Sequence, residues 1–365
     1  MENKFASFRH TAFRLVAGAS RSIPFRFSVT RILGPDSALR SLVFHDVSNR
    51  ETPFTKGMGV NITPREFEAM LEVLVRHYDP VSLSDVLAGS RKLVGRPVLV
   101  TFDDGYGSLV HSAVPACRRM GVPAVFFLNA HFIDNVQLAP DNLVCFMANE
   151  FGMEMINAAA RTINPSGLPC VNVMSDVFRR LFPALSPTRR GQFLEKLVLL
   201  SGIDEKRLAR ESKLYMTGAQ VRDLANAGFE IGSHTYSHFH CRTLSPLDFE
   251  MQIDANKSAL EALSGTKVRS FSIPYGSSAD LTHELLRHLR RTGHDAVFLS
   301  QSVANARNAN PLRLDRVSPS GGQEDSVFLE LEILPRLRAM RNRLKPRTDA
   351  DRRPAQNEHR PGFGF

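Results

Sequence analysis

Long apolar runs are absent from this sequence. No uninterrupted apolar segment of the 365-residue chain has the length that a bilayer-crossing helix requires. The N-terminus also lacks the apolar middle region of a secretory signal, because Arg9, Arg14 and Arg21 interrupt it. We therefore expect a cytoplasmic protein without a membrane span.

Cysteine is scarce as well. The four cysteines stand at positions 117, 145, 170 and 241, and none forms a Cys-x-x-Cys pair. This spacing does not indicate a disulfide framework. Buried free thiols in a reducing compartment are the expected state.

The net charge of +9 is concentrated at the two ends of the chain. Residues 1–40 contain seven basic and two acidic residues, and residues 336–365 contain nine and three. No zinc-finger spacing or RNA-binding signature accompanies these charges, so we expect no nucleic-acid partner. We interpret residues 1–40 as a basic extension, either solvated or in weak contact with the inner face of an anionic membrane. Residues 345–365 are expected to form a disordered tail.

Alternating strand and helix patterns predict an α/β fold. The apolar run 97–102 has strand length and is typical of a parallel strand that is covered on both faces. A helix is predicted to begin at the capping box Thr63–Glu66. Further strands are predicted at residues 41–47, 81–83, 124–128, 229–232, 270–273 and 296–299, and further helices at 217–228, 246–263 and 324–344. The repeated units predict one catalytic domain over residues 41–344, a complete or distorted barrel with its chemistry at the carboxyl ends of the strands.

Residues from about 135 to 213 interrupt this alternation. They have helical periodicity and no clear strand, so we interpret them as a helical insertion. A lid, a specificity element and a dimer contact are all compatible with that pattern.

Two adjacent carboxylates, Asp103 and Asp104, directly follow the apolar strand 97–102. Neighbouring residues at a strand end point in different directions, so one can reach a metal and the other a water molecule. Gly105 permits a tight exit from the strand. Capping of the following helix would account for one aspartate but not for the pair.

Two histidines four positions apart, His234 and His238, follow the strand predicted at 229–232. On a helical turn this spacing places both imidazoles on one face, where they can bind one cation. With one carboxylate they would form a two-histidine, one-carboxylate site with open positions for water and substrate. The spacing is a weak signal alone and becomes specific together with Asp-Asp-Gly. His240 is expected to be a neighbour rather than a ligand.

With these motifs the sequence resembles the polysaccharide deacetylases, the NodB-homology group of carbohydrate esterase family 4. The segments that carry the resemblance are Thr101–Tyr106, Ser233–His238 and Ile273–Gly276, with further similarity at Leu42–Val47 and Leu312–Val317 to the branch with FxYPYG-type third motifs. The resemblance covers about 41–134 and 214–320. It implies a distorted (β/α) barrel of the NodB-homology type that carries the helical insertion.

Carried over by position, the resemblance implies that Asp104, His234 and His238 bind a divalent metal, often zinc. Asp103 would be the general base that accepts a proton from the attacking water. The backbone N–H of Tyr275 would stabilise the developing oxyanion.

The sequence departs from the family pattern at three points. The arginine that orients the base is missing near residues 272–273, and Arg313 or Arg316 would have to replace it from a neighbouring strand. The usual tryptophan of the fourth motif has no counterpart, because the chain contains none. The Leu-x-His that supplies the general acid is also not evident. His45 is our candidate for that role, with a buried structural histidine as the alternative.

The resemblance implies a hydrolase of non-peptide carbon–nitrogen bonds. We expect it to remove N-acetyl groups from an amino-sugar-containing glycan or glycolipid precursor, so the partner would be an N-acetylated carbohydrate. A related hydrolase of a non-sugar amide and a catalytically silent metal-binding protein are the alternatives.

Overall fold

The computed structural model describes residues 38–89, 93–164 and 167–344. The predicted disordered tail and residues 1–37 of the predicted basic extension lie outside these ranges. Among the described residues, no helix combines the length and the apolar character needed to cross a membrane.

A parallel sheet of seven strands forms the centre of the fold. The strands of the described residues are β1 Arg40–Phe44, β2 Asp46–Val47, β3 Asn61–Ile62, β4 Asp79–Pro80, β5 Pro97–Phe102, β6 Ala124–Leu128, β7 Glu230–Ser233, β8 Ser270–Ser272 and β9 Ala296–Phe298. The hydrogen-bonded order of the sheet is β1-β5-β6-β7-β8-β9, and β4 pairs with the start of β5. A separate short sheet joins β2 to β3.

An irregular segment closes the sheet between its edge strands β9 and β1. Leu314 forms a parallel bridge to Phe298 of β9, and Val317 forms one to Leu42 of β1. The segment Leu312–Val317, which resembles a late strand of the family, therefore pairs with the sheet through two isolated β-bridges and not as a continuous strand. The result is a distorted (β/α) barrel, as predicted.

The inside of the barrel is filled in layers. Leu99, Val125, Phe127, Phe298 and Leu314 belong to one buried apolar cluster. Because side chains alternate along a strand, Thr101 and the following Asp103 lie on the same face of β5 as Leu99. Polar groups therefore lie above the apolar layer, at the carboxyl ends of the strands.

Helices flank the strands and form the insertion. They are α1 Pro64–His77, α2 Leu83–Ala88, α3 Ser108–His111, α4 Ala113–Met120, α5 Pro140–Phe151, α6 Met153–Ile163, α7 Met174–Asp176, α8 Pro187–Ser201, α9 Glu205–Ser212, α10 Gly218–Asn226, α11 Asn256–Ser264, α12 His283–Arg291, α13 Glu324–Phe328 and α14 Leu334–Leu344. Segments of π-helix at 177–181, 250–255 and 329–333 join some of them.

The capping box predicted at the start of α1 is confirmed. Thr63 accepts a hydrogen bond from the Glu66 N–H, and the Glu66 carboxylate accepts one from the Thr63 N–H at 3.1 Å. Pro64 occupies the first turn, where its missing N–H costs no hydrogen bond. The helix buries Phe67 and Met70 against the sheet.

The strand predicted at 81–83 is wrong. The strand ends at Pro80, and α2 begins at Leu83 with Ser82 as its N-cap. The cause is a second capping box, because Ser82 and Asp85 bond reciprocally to each other's backbone N–H groups. A serine followed three residues later by an acid is a helix start even inside an apolar stretch.

The segment interpreted as an insertion contains α5 to α9 between β6 and β7, and the described residues there form no strand. Its helices α5, α6 and α8 pack against one another. Cys117, Cys145 and Cys241 are buried free thiols, as expected, whereas Cys170 is exposed.

Alanine substitutions at two glycines, one in the barrel and one in the insertion, test the packing of the protein. A Cβ added at Gly232 of β7 would lie 2.3 Å from a ring carbon of Phe127, whereas one at Gly191 of α8 would meet nothing within 4 Å. We predict that Gly232→Ala lowers the unfolding free energy by about 1–3 kcal/mol through overpacking. Gly191→Ala, its control, should raise it by about 0.5–1 kcal/mol. Urea denaturation followed by circular dichroism measures both, and equal effects would contradict the packing described for β7.

Candidate functional site

The Asp-Asp-Gly motif forms a tight turn at the end of β5. The Asp103 N–H donates to the Phe44 carbonyl at 2.9 Å, so pairing with β1 continues one residue beyond the strand. Asp104 and Gly105 then adopt left-handed conformations, with φ values of 68° and 71°. Both carboxylates lie near His234, whose Nε2 is 3.4 Å from Oδ1 of Asp104 and 3.8 Å from Oδ2 of Asp103.

The two histidines lie on a loop rather than on a helical turn. Thr235 and His238 have φ values of 61° and 54°, which no α-helix contains. The expectation that His-x-x-x-His shares a helix face is therefore wrong. The imidazoles nevertheless converge, because the loop folds back on itself.

Neighbouring side chains hold this loop in place. Asn129, which follows β6, donates to the carbonyl of Thr235 at 2.8 Å. From the π-helical segment, the Gln252 carbonyl accepts from the Tyr236 N–H at 2.9 Å, and its side-chain oxygen accepts from the Ser237 N–H at 3.0 Å. These bonds give the backbone N–H and carbonyl groups of the loop the partners that they would have inside a helix.

Asp104, His234 and His238 form a group of possible metal ligands. Oδ1 of Asp104 lies 3.4 Å from Nε2 of His234 and 3.5 Å from Nε2 of His238. One ligand atom from each residue lies within 4.8 Å of the others. Bonds of about 2.0–2.2 Å in a tetrahedral site separate ligand atoms by about 3.3–3.6 Å, so the donor set fits an ion such as Zn²⁺.

Both rings are oriented by a hydrogen bond at Nδ1. Nδ1 of His234 lies 2.8 Å from the carbonyl oxygen of Ser272, to which it donates. Nδ1 of His238 lies 2.7 Å from Oδ2 of Asp141. A proton on each Nδ1 leaves Nε2 with its lone pair directed toward the other ligands.

A fully buried guanidinium holds Asp103. Arg316 donates from Nη1 to Oδ1 and from Nη2 to Oδ2 of Asp103, both at 2.7 Å. It also donates to Thr101 Oγ1, Ser272 Oγ, Ser300 Oγ and the carbonyl of Leu299. Arg313, the other arginine considered, is exposed. The structure therefore brings Arg316 to the position behind Asp103.

Both aspartates carry their charge at neutral pH. Burial raises the pKa of Asp103, but the charges of Arg316 and His234 outweigh it and hold that pKa below its ordinary value. Burial likewise raises the pKa of Asp104, and the two histidines bring it below the usual range. One carboxylate is thus available as an anionic ligand and the other as a proton acceptor.

His45 lies at the carboxyl end of β1 and lines the same cavity as both aspartates. Burial is the main cause that lowers the pKa of His45 below its ordinary value. The ring is therefore neutral at pH 7 and could act as an acid only after receiving a proton. Its assignment as general acid stays a prediction.

Tyr275 lies in the turn Pro274–Gly276, where its φ value is 61°. A Cβ added at Gly276 would lie 2.4 Å from the Ser300 backbone nitrogen, so this turn requires glycine. Tyr275 lines the cavity, and its hydroxyl donates to Oδ1 of Asp141 at 2.8 Å. The assignment of its backbone N–H to the oxyanion also stays a prediction.

The cavity has a volume of about 220 Å³. Its polar floor consists of the carboxylates and imidazoles just described. Its walls include Met58, Val60, Ile273 and Phe178, the last from the insertion. His240 lies behind the wall, stacked on Tyr275 with ring centroids 3.7 Å apart, and it is not part of the ligand group.

Two residues near the ligands were not predicted. Asp141 and Arg190 belong to the insertion, and both contact His238. The Asp141 carboxylate bonds the His238 ring, and Arg190 donates from Nη1 to the His238 carbonyl at 2.9 Å. Asp141 follows a proline in the first turn of α5, a pattern that any helix start shows. Nothing in its spacing relates it to the histidines.

Comparisons by sequence find similar proteins. A sequence model described as polysaccharide deacetylase matches residues 203–297, which include both histidines and the Tyr275 turn. The putative polysaccharide deacetylase YxkH of Bacillus subtilis is 19% identical over 291 residues, covering 79% of this chain and 73% of that protein.

Solved structures share the fold. The Streptococcus pyogenes deacetylase PplD, in complex with acetate, aligns with a TM-score of 0.53 at 12% identity, over 81% of this chain and 99% of that one. IcaB from Ammonifex degensii aligns with a TM-score of 0.50 at 18% identity, over 81% and 97%. The sequence model and the similar Bacillus subtilis protein confirm the resemblance to the polysaccharide deacetylases, and the chain is a hydrolase of the class that acts on non-peptide carbon–nitrogen bonds.

We predict that Arg316→Met destabilises the protein more at pH 7.5 than at pH 5. Without the guanidinium, burial raises the pKa of Asp103 above its value in the unfolded chain, so the folded state loses stability as pH rises through that range. In the wild type the pKa is lowered, and the same carboxylate contributes stability above its unfolded pKa. Thermal unfolding at the two pH values measures the difference. The exposed Arg313→Met is the control, and a penalty for Arg316→Met that shrinks with rising pH would reject the pairing.

Proposed function

We propose that this protein is a metal-dependent N-deacetylase that acts on an N-acetylated amino sugar of a glycan or glycolipid precursor. The observation that carries the proposal is a single cavity that contains both a ligand group and a separate carboxylate. The ligand group is Asp104, His234 and His238, and the carboxylate is Asp103, held by Arg316. The names of the similar proteins support a sugar substrate.

Asp104, His234 and His238 would hold the divalent ion, for which zinc is our expectation. When bound, such an ion lowers the pKa of a water molecule and polarises the amide carbonyl. The remaining chemistry belongs to the side chains around it.

Asp103 would accept the proton of the attacking water. Its two oxygens are fixed by the Arg316 fork, which leaves further lone pairs on each oxygen for that proton. His45, which is neutral at rest, would receive that proton from Asp103 and deliver it to the departing nitrogen, so that the C–N bond breaks to a free amine and acetic acid, which ionises to acetate. The Tyr275 N–H would stabilise the negative charge on the carbonyl oxygen.

The bidentate contact of Arg316 argues against the catalytically silent alternative. The arginine missing from the third motif is present in space, supplied by the segment that closes the barrel. A protein that only bound metal would not need a buried, oriented base beside the ligands, because burying an ion pair costs desolvation energy.

We also propose a cytoplasmic location, on the expectations drawn from the sequence.

We predict that Asp104→Ala strongly lowers the zinc content of the purified protein. The variant removes the one anionic ligand, and the two remaining imidazoles bind zinc far more weakly. Elemental analysis after dialysis measures the content. His131→Ala is the control, because His131 contacts the same loop through Ser237 but lies outside the ligand group. Unchanged zinc in Asp104→Ala would reject the assignment.

We predict that Asp103→Asn retains zinc but loses acetate release from N-acetylated oligosaccharides by about 10²–10⁴-fold, the usual contribution of a general base. Acetate is measured enzymatically, and an acetyl-lysine peptide is assayed in parallel to test the non-sugar alternative. Turnover by Asp103→Asn at the wild-type rate would remove Asp103 from the mechanism. Turnover of the peptide alone would favour the other amide substrate.

A further inference from the structure

We propose that Asp141 of the helical insertion is a positioning residue for the metal ligand His238, so that the insertion completes the metal site of the barrel. This inference rests on the proposed function, because it assigns a role toward the ion that Asp104, His234 and His238 would hold. It gives the insertion a role distinct from a lid or a dimer contact.

The contact between Asp141 and His238 is short and buried. Oδ2 of Asp141 lies 2.7 Å from Nδ1 of His238, and Asp141 is only 4% exposed. A carboxylate at this distance holds the proton on Nδ1, fixes the ring plane and makes Nε2 a better donor to a metal. His234 obtains its orientation from a backbone carbonyl of the barrel, whereas His238 obtains it from the insertion.

Asp141 also bonds a second part of the site. Its other oxygen, Oδ1, accepts the hydroxyl hydrogen of Tyr275 at 2.8 Å. One carboxylate therefore connects the metal ligand to the turn whose backbone N–H is assigned to the oxyanion. A shift of Asp141 would displace both groups together.

The position of Asp141 is fixed by its neighbour Asn142. The Asn142 amide donates to the Tyr106 hydroxyl at 2.8 Å and to the Phe54 carbonyl at 2.9 Å, and its oxygen accepts from the Tyr215 hydroxyl at 2.6 Å. These partners lie on three segments of the barrel side of the molecule. The first turn of α5 is thus held before any ion binds, which is the condition for a preorganised site.

Arg190 supplies the balancing charge. Arg190 is 1% exposed, and its Cζ lies 4.6 Å from the ring centroid of Phe182 and 4.4 Å from that of Phe239. Its Nη2 lies 3.8 Å from Oδ2 of Asp141. Its Nη1 donates to the His238 carbonyl. Burying this guanidinium costs desolvation energy. Its polar contacts with Asp141 and with the His238 carbonyl offset part of that cost.

The test is the Zn²⁺ affinity of the metal-stripped full chain, measured by competition with a chromophoric chelator. Asp141→Ala should bind Zn²⁺ about 10–100-fold more weakly than the wild type, the usual loss when the partner of a ligating histidine is removed. Asp141→Asn keeps an oxygen that accepts the Nδ1 hydrogen but lacks the charge, so its affinity should fall between the two. Wild-type affinity in both variants would overturn the proposal.

Asn157→Ala is the matched control. Asn157 is also buried in the insertion, where it bonds the backbone of Val171 at 2.8 and 2.9 Å, and it makes no contact with His238. It should lower the thermal unfolding temperature but leave the Zn²⁺ affinity unchanged. An equal loss of affinity in Asn157→Ala would mean that Asp141 acts only through the stability of the insertion, which also overturns the proposal.

Failure of the proposed function has a different outcome. If the wild type binds no Zn²⁺, or Asp104→Ala binds it equally well, the metal site itself is wrong. If the wild type binds and Asp104→Ala does not, while Asp141→Ala matches the wild type, only the role of Asp141 is rejected. Should Asp141→Ala fail to fold, Asp141→Asn carries the same comparison.

Discussion

The ion pair between Arg316 and Asp103 is the constraint on which the rest of this structure depends. Both groups lie inside the barrel, above an apolar layer, where an isolated charge would be strongly disfavoured. Pairing neutralises them. The hydroxyls of Thr101, Ser272 and Ser300 and the carbonyl of Leu299 accept the other hydrogen bonds of the guanidinium. Because those hydroxyls belong to different parts of the sheet, the pair can form only when the barrel is closed in this register.

The cavity is built from backbone conformations that most residues avoid. Asp104, Thr235, His238 and Tyr275 all have positive φ values, which is half of the non-glycine residues of that kind in the described ranges. Such conformations cost about 1–3 kcal/mol each unless the surroundings hold them. Here Asn129, Gln252 and the insertion provide that support. The strain turns three short segments, at 104, 235–238 and 275, so that Asp104, His238 and Tyr275 line the same cavity.

The sequence predicted those parts of the molecule that depend on local patterns. Strand β5 and the helix behind the Thr63 capping box follow from an apolar run and from capping residues alone. The histidine loop was predicted as a helical turn, since four-residue spacing carries no information about a left-handed residue such as Thr235. Asp141 and Arg190 could not be predicted, because their proximity to His238 depends on how α5 and α8 pack. Arg316 was one of two candidates, and only barrel closure distinguishes it from Arg313.

The closing bridge has a consequence for the order of events during folding. Arg316 follows Asp103 by 213 residues, so during synthesis the carboxylate leaves the ribosome long before the guanidinium has been added to the chain. A nascent or partly assembled barrel has no partner for the Asp103 carboxylate and therefore keeps that end of β5 hydrated. The segment that closes the barrel is thus the same one that holds Asp103, so closure of the core and assembly of the site depend on one contact.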